Sequence, residues 1–266
     1  MDNTLPKKPK KTWSKTSVLH AWKLVIRSLL FVLAIACYVI GAVLGHTDAV
    51  VGALTDSWIF LIILWIIFVV EMLLRFFPSN IESMGCQKQF RRNYIPTEQD
   101  KPNLPKKGGT LISLVSWLLL NGVIAALYFL GVLDAGILIL ISLFYSVCDM
   151  ICILFFCPFQ TWFMKNKCCG SCRIYNWDYA MMFTPLVLIP HPYTYSLFGM
   201  GLLLAVFWEI LLHRHPERFA ENTNASLKCE NCKEKLCQHK KQLQAFLKKN
   251  RELIAKYKKE REKKKK

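Results

Sequence analysis

The sequence predicts an all-α polytopic transmembrane bundle of about six spans, followed by a basic amphipathic C-terminal helix. Three observations predict it. The chain of 266 residues is 53% hydrophobic with a mean hydropathy of +0.27, above the usual apolar share of a soluble domain. Its apolar residues come in long runs. Most of the basic residues behind its formal charge of +17 lie before, between and after those runs.

A bilayer core takes roughly 20 mainly apolar residues per helix. The runs Leu24–Leu44, Trp58–Phe77, Leu111–Leu133 and Gly136–Phe156 meet that length, and so does Tyr193–Leu212. Ile174–Ile189 is shorter, carries Pro185 and stops at Pro190; it reads as a fifth span or as a re-entrant segment. The first run is long enough to span and no clear small-residue cleavage site follows it, so no cleavable signal peptide is expected.

Orientation follows from lysine and arginine. Lys7, Lys8, Lys10, Lys11, Lys15 and Lys23 precede the first run, with Arg27 in its first turn. The loop after the second run carries Lys88, Arg91, Arg92, Lys101, Lys106 and Lys107, and the loop after the fourth carries Lys165, Lys167 and Arg173. The connections Gly45–Ser57, Asp134–Ala135 and Pro190–Pro192 carry no basic residue. Six spans put every basic residue on one side. The expectation is therefore a multi-pass plasma-membrane protein with both termini cytoplasmic: a basic segment 1–22, a membrane domain 23–213 and a Cys/His-containing tail 214–266.

In that tail Leu243, Phe246, Leu247, Ile254 and Tyr257 recur at near-helical spacing among lysines. Such a helix suits the anionic inner leaflet, each Lys near the surface contributing about 1 kcal/mol. Lipid headgroups account for the lysines without nucleic acid. The expected partners are the bilayer, its anionic headgroups and a membrane protein partner.

The eleven cysteines form two organised groups. Cys229, Cys232, Cys237 and His239 follow C-x2-C-x4-C-x-H, a complete tetrahedral set for zinc. Cys169 and Cys172 make a second C-x2-C pair beside Cys168, with Gly170 for a tight turn. Either the tail closes one site alone, or Cys169 and Cys172 join Cys229 and Cys232 and clamp the tail to the loop. Both groups fall on the cytoplasmic side, where metal or redox chemistry is favoured over structural disulfides. Asn224-Ala-Ser226 matches a glycosylation acceptor on the wrong side of the membrane.

Charges inside the runs mark the remaining candidates. Glu71 and Arg75 stand one turn apart and neutralise each other near the cytoplasmic edge. Asp149 lies about 12 Å inside the fourth run at 1.5 Å per residue, with no basic residue near it in sequence. Ser142, Tyr145, Asp149 and Cys152 share one helix face. A lone carboxylate in hydrocarbon costs on the order of 3 kcal/mol, so that face points into the bundle. Cys148 and Cys152 are one turn apart, and Cys157-Pro158 ends the helix.

The stretch Cys157-Pro-Phe-Gln-Thr-Trp-Phe-Met-Lys-Asn-Lys-Cys-Cys-Gly-Ser-Cys-Arg-Ile-Tyr-Asn-Trp-Asp-Tyr179 resembles a segment of bacterial polytopic membrane proteins to which no activity is attached. The tail from His215-Pro-Glu-Arg-Phe to His239 is similar to theirs. A fainter resemblance is to membrane iron–sulfur proteins, which place Cys-x3-Cys-Pro at a helix end. Here four residues separate Cys152 from Cys157-Pro158, and the ferredoxin run of four cysteines is absent.

Three functions compete on these grounds. One is a non-enzymatic scaffold with a zinc-stapled tail. A second is a membrane redox or iron–sulfur protein using Cys152, Cys157, Cys168, Cys169 and Cys172. A third is a small transporter or channel with Asp149 on its path. No Ser/His/carboxylate set, phosphate loop or His-Glu-x-x-His motif occurs, which argues against a hydrolase or ATPase.

Overall fold

The computed structural model describes residues 15–43, 58–78, 85–99, 101–104, 107–164, 172–228 and 231. These are mostly helical, with no strand among them and one isolated antiparallel bridge, Pro96 to Asn224. Four helices are long and apolar enough to cross a membrane: Ser17–Val43, Gly108–Phe129, Ala135–Leu154 and Pro192–Arg214. The tail helix and the cysteines at 168, 169, 229, 232 and 237, with His239, lie outside the described residues.

The elements in order are α1 (Lys15–Val43), α2 (Trp58–Leu73), a short α3 (Gly85–Gln89), α4 (Lys107–Phe129) and α5 (Ala135–Leu154). A π-helical turn, Phe159–Met164, follows Pro158. A broken segment comes next: 3-10 turns Arg173–Trp177 and Thr184–Leu188 flank α6 (Asp178–Phe183). The bundle closes with α7 (Pro192–Arg214).

Local chemistry sets these boundaries. Gly131, at φ 73°, turns the chain out of α4. Asp134 then caps α5 by accepting from the Ile137 amide at 2.8 Å. The same carboxylate accepts from the Tyr38 hydroxyl at 2.7 Å, tying the end of α1 to the start of α5. Pro192 occupies the first turn of α7, where its missing N–H costs nothing. Pro185 sits where the broken segment leaves α-helical geometry.

The helix directions follow from paired contacts at opposite ends. Tyr38 meets Asp134 and Arg27 meets Asp149, so α1 and α5 run antiparallel. Trp65 donates to Ser196 at 2.8 Å, and Phe76 packs on Phe207 at 5.3 Å, so α2 and α7 run parallel. Thus α1 begins at the end of the bundle where α2, α5 and α7 finish.

Two expected spans take a different form. The run Trp58–Phe77 is helical only to Leu73 and then turns through 74–76. The run Ile174–Ile189 breaks into three short pieces. Broken backbone at membrane depth must be walled by protein, and this segment is. Tyr179, Met182, Phe183 and Leu186 are buried against Leu197, Leu204 and Trp208 of α7. Gly201 makes that packing close: a Cβ there would stand 2.9 Å from the Ala180 amide nitrogen. Gly201→Val is therefore expected to push α7 off the segment and cost about 1–3 kcal/mol, read as a lower thermal midpoint in detergent.

Beyond α7, residues 216–228 fold onto the 85–104 loop. Asn224 is fully buried; its amide donates to the carbonyls of Lys88 (3.1 Å) and Arg218 (2.8 Å). Asn222 donates to the Lys101 carbonyl at 2.7 Å, and the Ala225 amide donates to the Ile95 carbonyl at 2.9 Å. Phe90 and Phe219 clasp Trp208 at 5.1 and 6.1 Å. The start of the expected tail is thus part of the folded body. It leaves the Asn224 amide committed inside the protein, on whichever side it faces.

Candidate functional site

Toward the end where α1 begins, the bundle holds an ion-pair network. Arg27 of α1 bonds Glu71 of α2 at 2.8 Å and Asp149 of α5 at 3.4 Å. It also donates to the Ser146 carbonyl at 3.3 Å and lies 5.6 Å from the Phe68 ring centre. Lys23, one turn before it, pairs with the other Glu71 oxygen at 3.1 Å. The Tyr179 hydroxyl donates to Glu71 at 2.8 Å. Arg75 donates to both carboxylate oxygens of Asp178 at 2.7 Å. Its guanidinium packs over Tyr175 and Tyr179, 5.1 and 4.6 Å from the ring centres.

Lys23, Arg27 and Arg75 balance Glu71, Asp149 and Asp178. Charges at membrane depth persist when they face the interior and neutralise one another. This arrangement meets that condition and joins α1, α2, α5 and the broken segment. A separate pair links Arg173 to Glu209 of α7, whose carboxylate also accepts from the Trp177 indole at 3.1 Å.

Beside the network lies a cavity of about 130 Å³. Asp149 and Asp178 line it together with Cys148, Cys152, Cys157 and Cys172. The Cys152 and Cys157 side chains interact with each other. The Gln160 amide, at the start of the π turn, donates to the Cys157 sulfur at 3.4 Å. The turn after α5 thus brings Cys157 back over Cys152, although five positions separate them in sequence. All four cysteines carry thiols. The site presents a facing thiol pair, two further thiols and two carboxylates already paired with arginines.

Of the residues singled out by sequence, Asp149, Tyr145, Cys152 and Cys172 meet at this cavity. Tyr145 packs on Trp117 at 4.7 Å. Glu71 and Arg75, expected to neutralise each other, each find strong partners on other elements: Arg27, Lys23 and Tyr179 for Glu71, and Asp178 for Arg75. Cys169, Cys229, Cys232, Cys237 and His239 fall outside the described residues. Among the described residues no three His, Cys, Asp or Glu side chains gather in a way that could hold a metal ion, so zinc finds no support there.

Sequence reasoning passed over Arg27, Asp178 and Tyr179 as site residues. Arg27 had a signal: it stands inside an apolar run, where a charge marks function or pairing. Asp178 had a weaker one, since its segment is too short and broken to read as a span. In comparison with known proteins, the chain matches no family model, no curated sequence and no solved structure.

Proposed function

We propose that this is a membrane redox protein that cycles Cys152 and Cys157 between dithiol and disulfide. One observation carries the reading: these two thiols face each other on a cavity that two more cysteines and Asp149 also line. The oxidant is a disulfide on a partner molecule. One thiolate attacks it, forming a mixed disulfide and releasing one partner thiol. The second thiolate then attacks the mixed disulfide, closing Cys152–Cys157 and releasing the other partner thiol. Two electrons and two protons pass to the partner. Asp149, on the cavity wall, is placed to accept a proton in transit. Cys172, with Cys169 in C-x2-C spacing, offers a second pair for onward exchange.

The topology in this reading is six crossings, α2 and the broken segment supplying the two short ones, with both ends cytoplasmic. The one-sided placement of lysine and arginine supports it. The cavity then lies at the cytoplasmic end, within reach of soluble thiols, and the basic tail lies along anionic headgroups. A tail zinc site at Cys229, Cys232, Cys237 and His239 is compatible with this and independent of it. The cavity reaching Asp149 favours a second reading, a small transporter, but its pairing with Arg27 makes Asp149 a poor open ion site.

The test is differential alkylation of the purified protein under graded thiol–disulfide buffers, mapped cysteine by cysteine by mass spectrometry. Cys152 and Cys157 are expected to lose reactivity together on oxidation and regain it on reduction. In Cys152→Ser, Cys157 is expected to stay reactive throughout. If Cys157 is protected equally in that variant, the thiol-pair reading fails. Metal analysis and an optical spectrum on the same sample separate it from an iron–sulfur centre, which would bring iron and visible absorbance.

A further inference from the structure

A second concavity, of about 600 Å³, opens on the outer face of the bundle between α4, the broken segment and α7. Its body is apolar, walled by Leu114, Leu118, Met181, Leu202 and Val206. Its end is not: Glu209, His213, Arg214 and the Trp177 side chain meet there. The acid is already neutralised. Glu209 binds Arg173 and the Trp177 indole. Arg214 is exposed and makes no ion pair among the described residues. His213, also exposed, bonds the Glu209 carbonyl through Nδ1 at 2.8 Å, which leaves its other ring nitrogen for a second hydrogen bond. Arg214 therefore makes the end of the groove cationic.

We propose that this groove binds one anionic phospholipid, its acyl chain against α4 and α7 and its phosphate at Arg214 and His213. The proposal rests on the chain being a membrane protein and not on the thiol reading. In a bilayer the groove faces hydrocarbon, so an acyl chain fills it at no polar cost. From Phe198 to Arg214 the helix rises about 24 Å, more than the roughly 15 Å of one hydrocarbon leaflet. The acyl chain and glycerol region therefore fit between the two ends. Basic pockets between spanning helices are recognised sites for anionic headgroups, and an indole at the same level suits the interface. A lipid without net charge would satisfy the walls but leave Arg214 without a net counter-charge. Charge complementarity thus selects the anionic class.

The test uses delipidated full-length protein in mild detergent, titrated with phosphatidylglycerol or phosphatidylcholine and read by native mass spectrometry. One phosphatidylglycerol is expected to bind roughly fivefold more tightly than phosphatidylcholine, about what one basic contact of ~1 kcal/mol supplies. Arg214→Gln with His213→Gln is expected to erase that preference, bringing phosphatidylglycerol binding to the level of phosphatidylcholine. Val206→Trp, which fills the apolar wall, is expected to weaken both lipids severalfold. Circular dichroism shows whether each variant is folded; for any that is not, Arg214→Lys, which keeps the charge, must keep the preference. Equal binding of the two lipids by the wild type would overturn the proposal. So would a preference that survives the double substitution, or a second protein copy cross-linked into the groove in place of lipid.

Discussion

Arg27→Leu is expected to be among the most damaging single substitutions in the protein. Arg27 is 7% exposed and serves two carboxylates on two different helices, at 2.8 and 3.4 Å. Leucine fits the apolar surroundings of α1, so the loss is not one of packing. It is electrostatic. Glu71 retains Lys23 at 3.1 Å, but Asp149 loses the cation that pairs with it among the described residues. Breaking a buried pair from one side costs about 3–5 kcal/mol, because the remaining charge is stranded. For a chain of this size that corresponds to a fall of roughly 10 °C in thermal midpoint. The second substitution identifies the cause. Asp149→Asn in the Arg27→Leu background removes the stranded charge and is expected to recover part of the loss. Arg27→Lys keeps the charge but not the two-pronged reach, and is expected to fall between. A midpoint for Arg27→Leu within a degree or two of wild type would mean that the network does not hold α1 to α2 and α5.

That hub shows what can be read from one sequence and what cannot. The membrane-spanning character was legible, because runs of about 20 apolar residues are hard to use otherwise. The inward face of α5 was legible too, since Ser142, Tyr145, Asp149 and Cys152 repeat at three and four. The partner of Asp149 was not. Arg27 lies 122 positions away, and no local pattern joins them. Yet α1 carries its own signal. Ser17, His20 and Arg27 are buried, and with Lys23 they fall at spacings of three, three and four, one polar face along the first turns. Counting Lys23 and Arg27 only as a basic flank hid the face. The helix in fact starts at Lys15, nine residues before the apolar run. The broken segment was suspected from Pro185, but its place at the centre of the bundle was not legible. Its burial comes from Tyr179, Met182 and Phe183 meeting α7, a tertiary fact. The thiol pair was half legible. Cys148 and Cys152 share a face by spacing, whereas Cys157 reaches Cys152 only because the chain turns back after Phe155.

Arg75→Met is expected to have a comparable effect, centred on the broken segment and the thiol cavity. Arg75 is 1% exposed, and its guanidinium grips both Asp178 oxygens at 2.7 Å while lying over two tyrosine rings. Methionine replaces the stem but not the charge. Asp178 would then face the cavity without its counterion, at about 3–5 kcal/mol, and the two ring contacts would add about 1 kcal/mol or more. Asp178 also starts α6, accepting from the Tyr179 amide at 2.9 Å. A change in its charge therefore acts on the backbone that orients the Tyr179 hydroxyl toward Glu71. Asp178→Asn alone is expected to destabilise as well, by stranding Arg75. The double variant Arg75→Met, Asp178→Asn is expected to cost clearly less than the two singles added together, the mark of a coupled pair. Thermal unfolding of the four proteins measures that coupling. Alkylation adds a readout that stability alone would not supply. Cys172 is buried at the cavity wall in the intact protein, so below the midpoint its alkylation is expected to quicken severalfold in Arg75→Met and to return toward wild type in the double variant. Additive costs with unchanged Cys172 reactivity would mean that Arg75 and Asp178 stabilise the fold separately. The ion pair would then not be what keeps the thiol cavity closed.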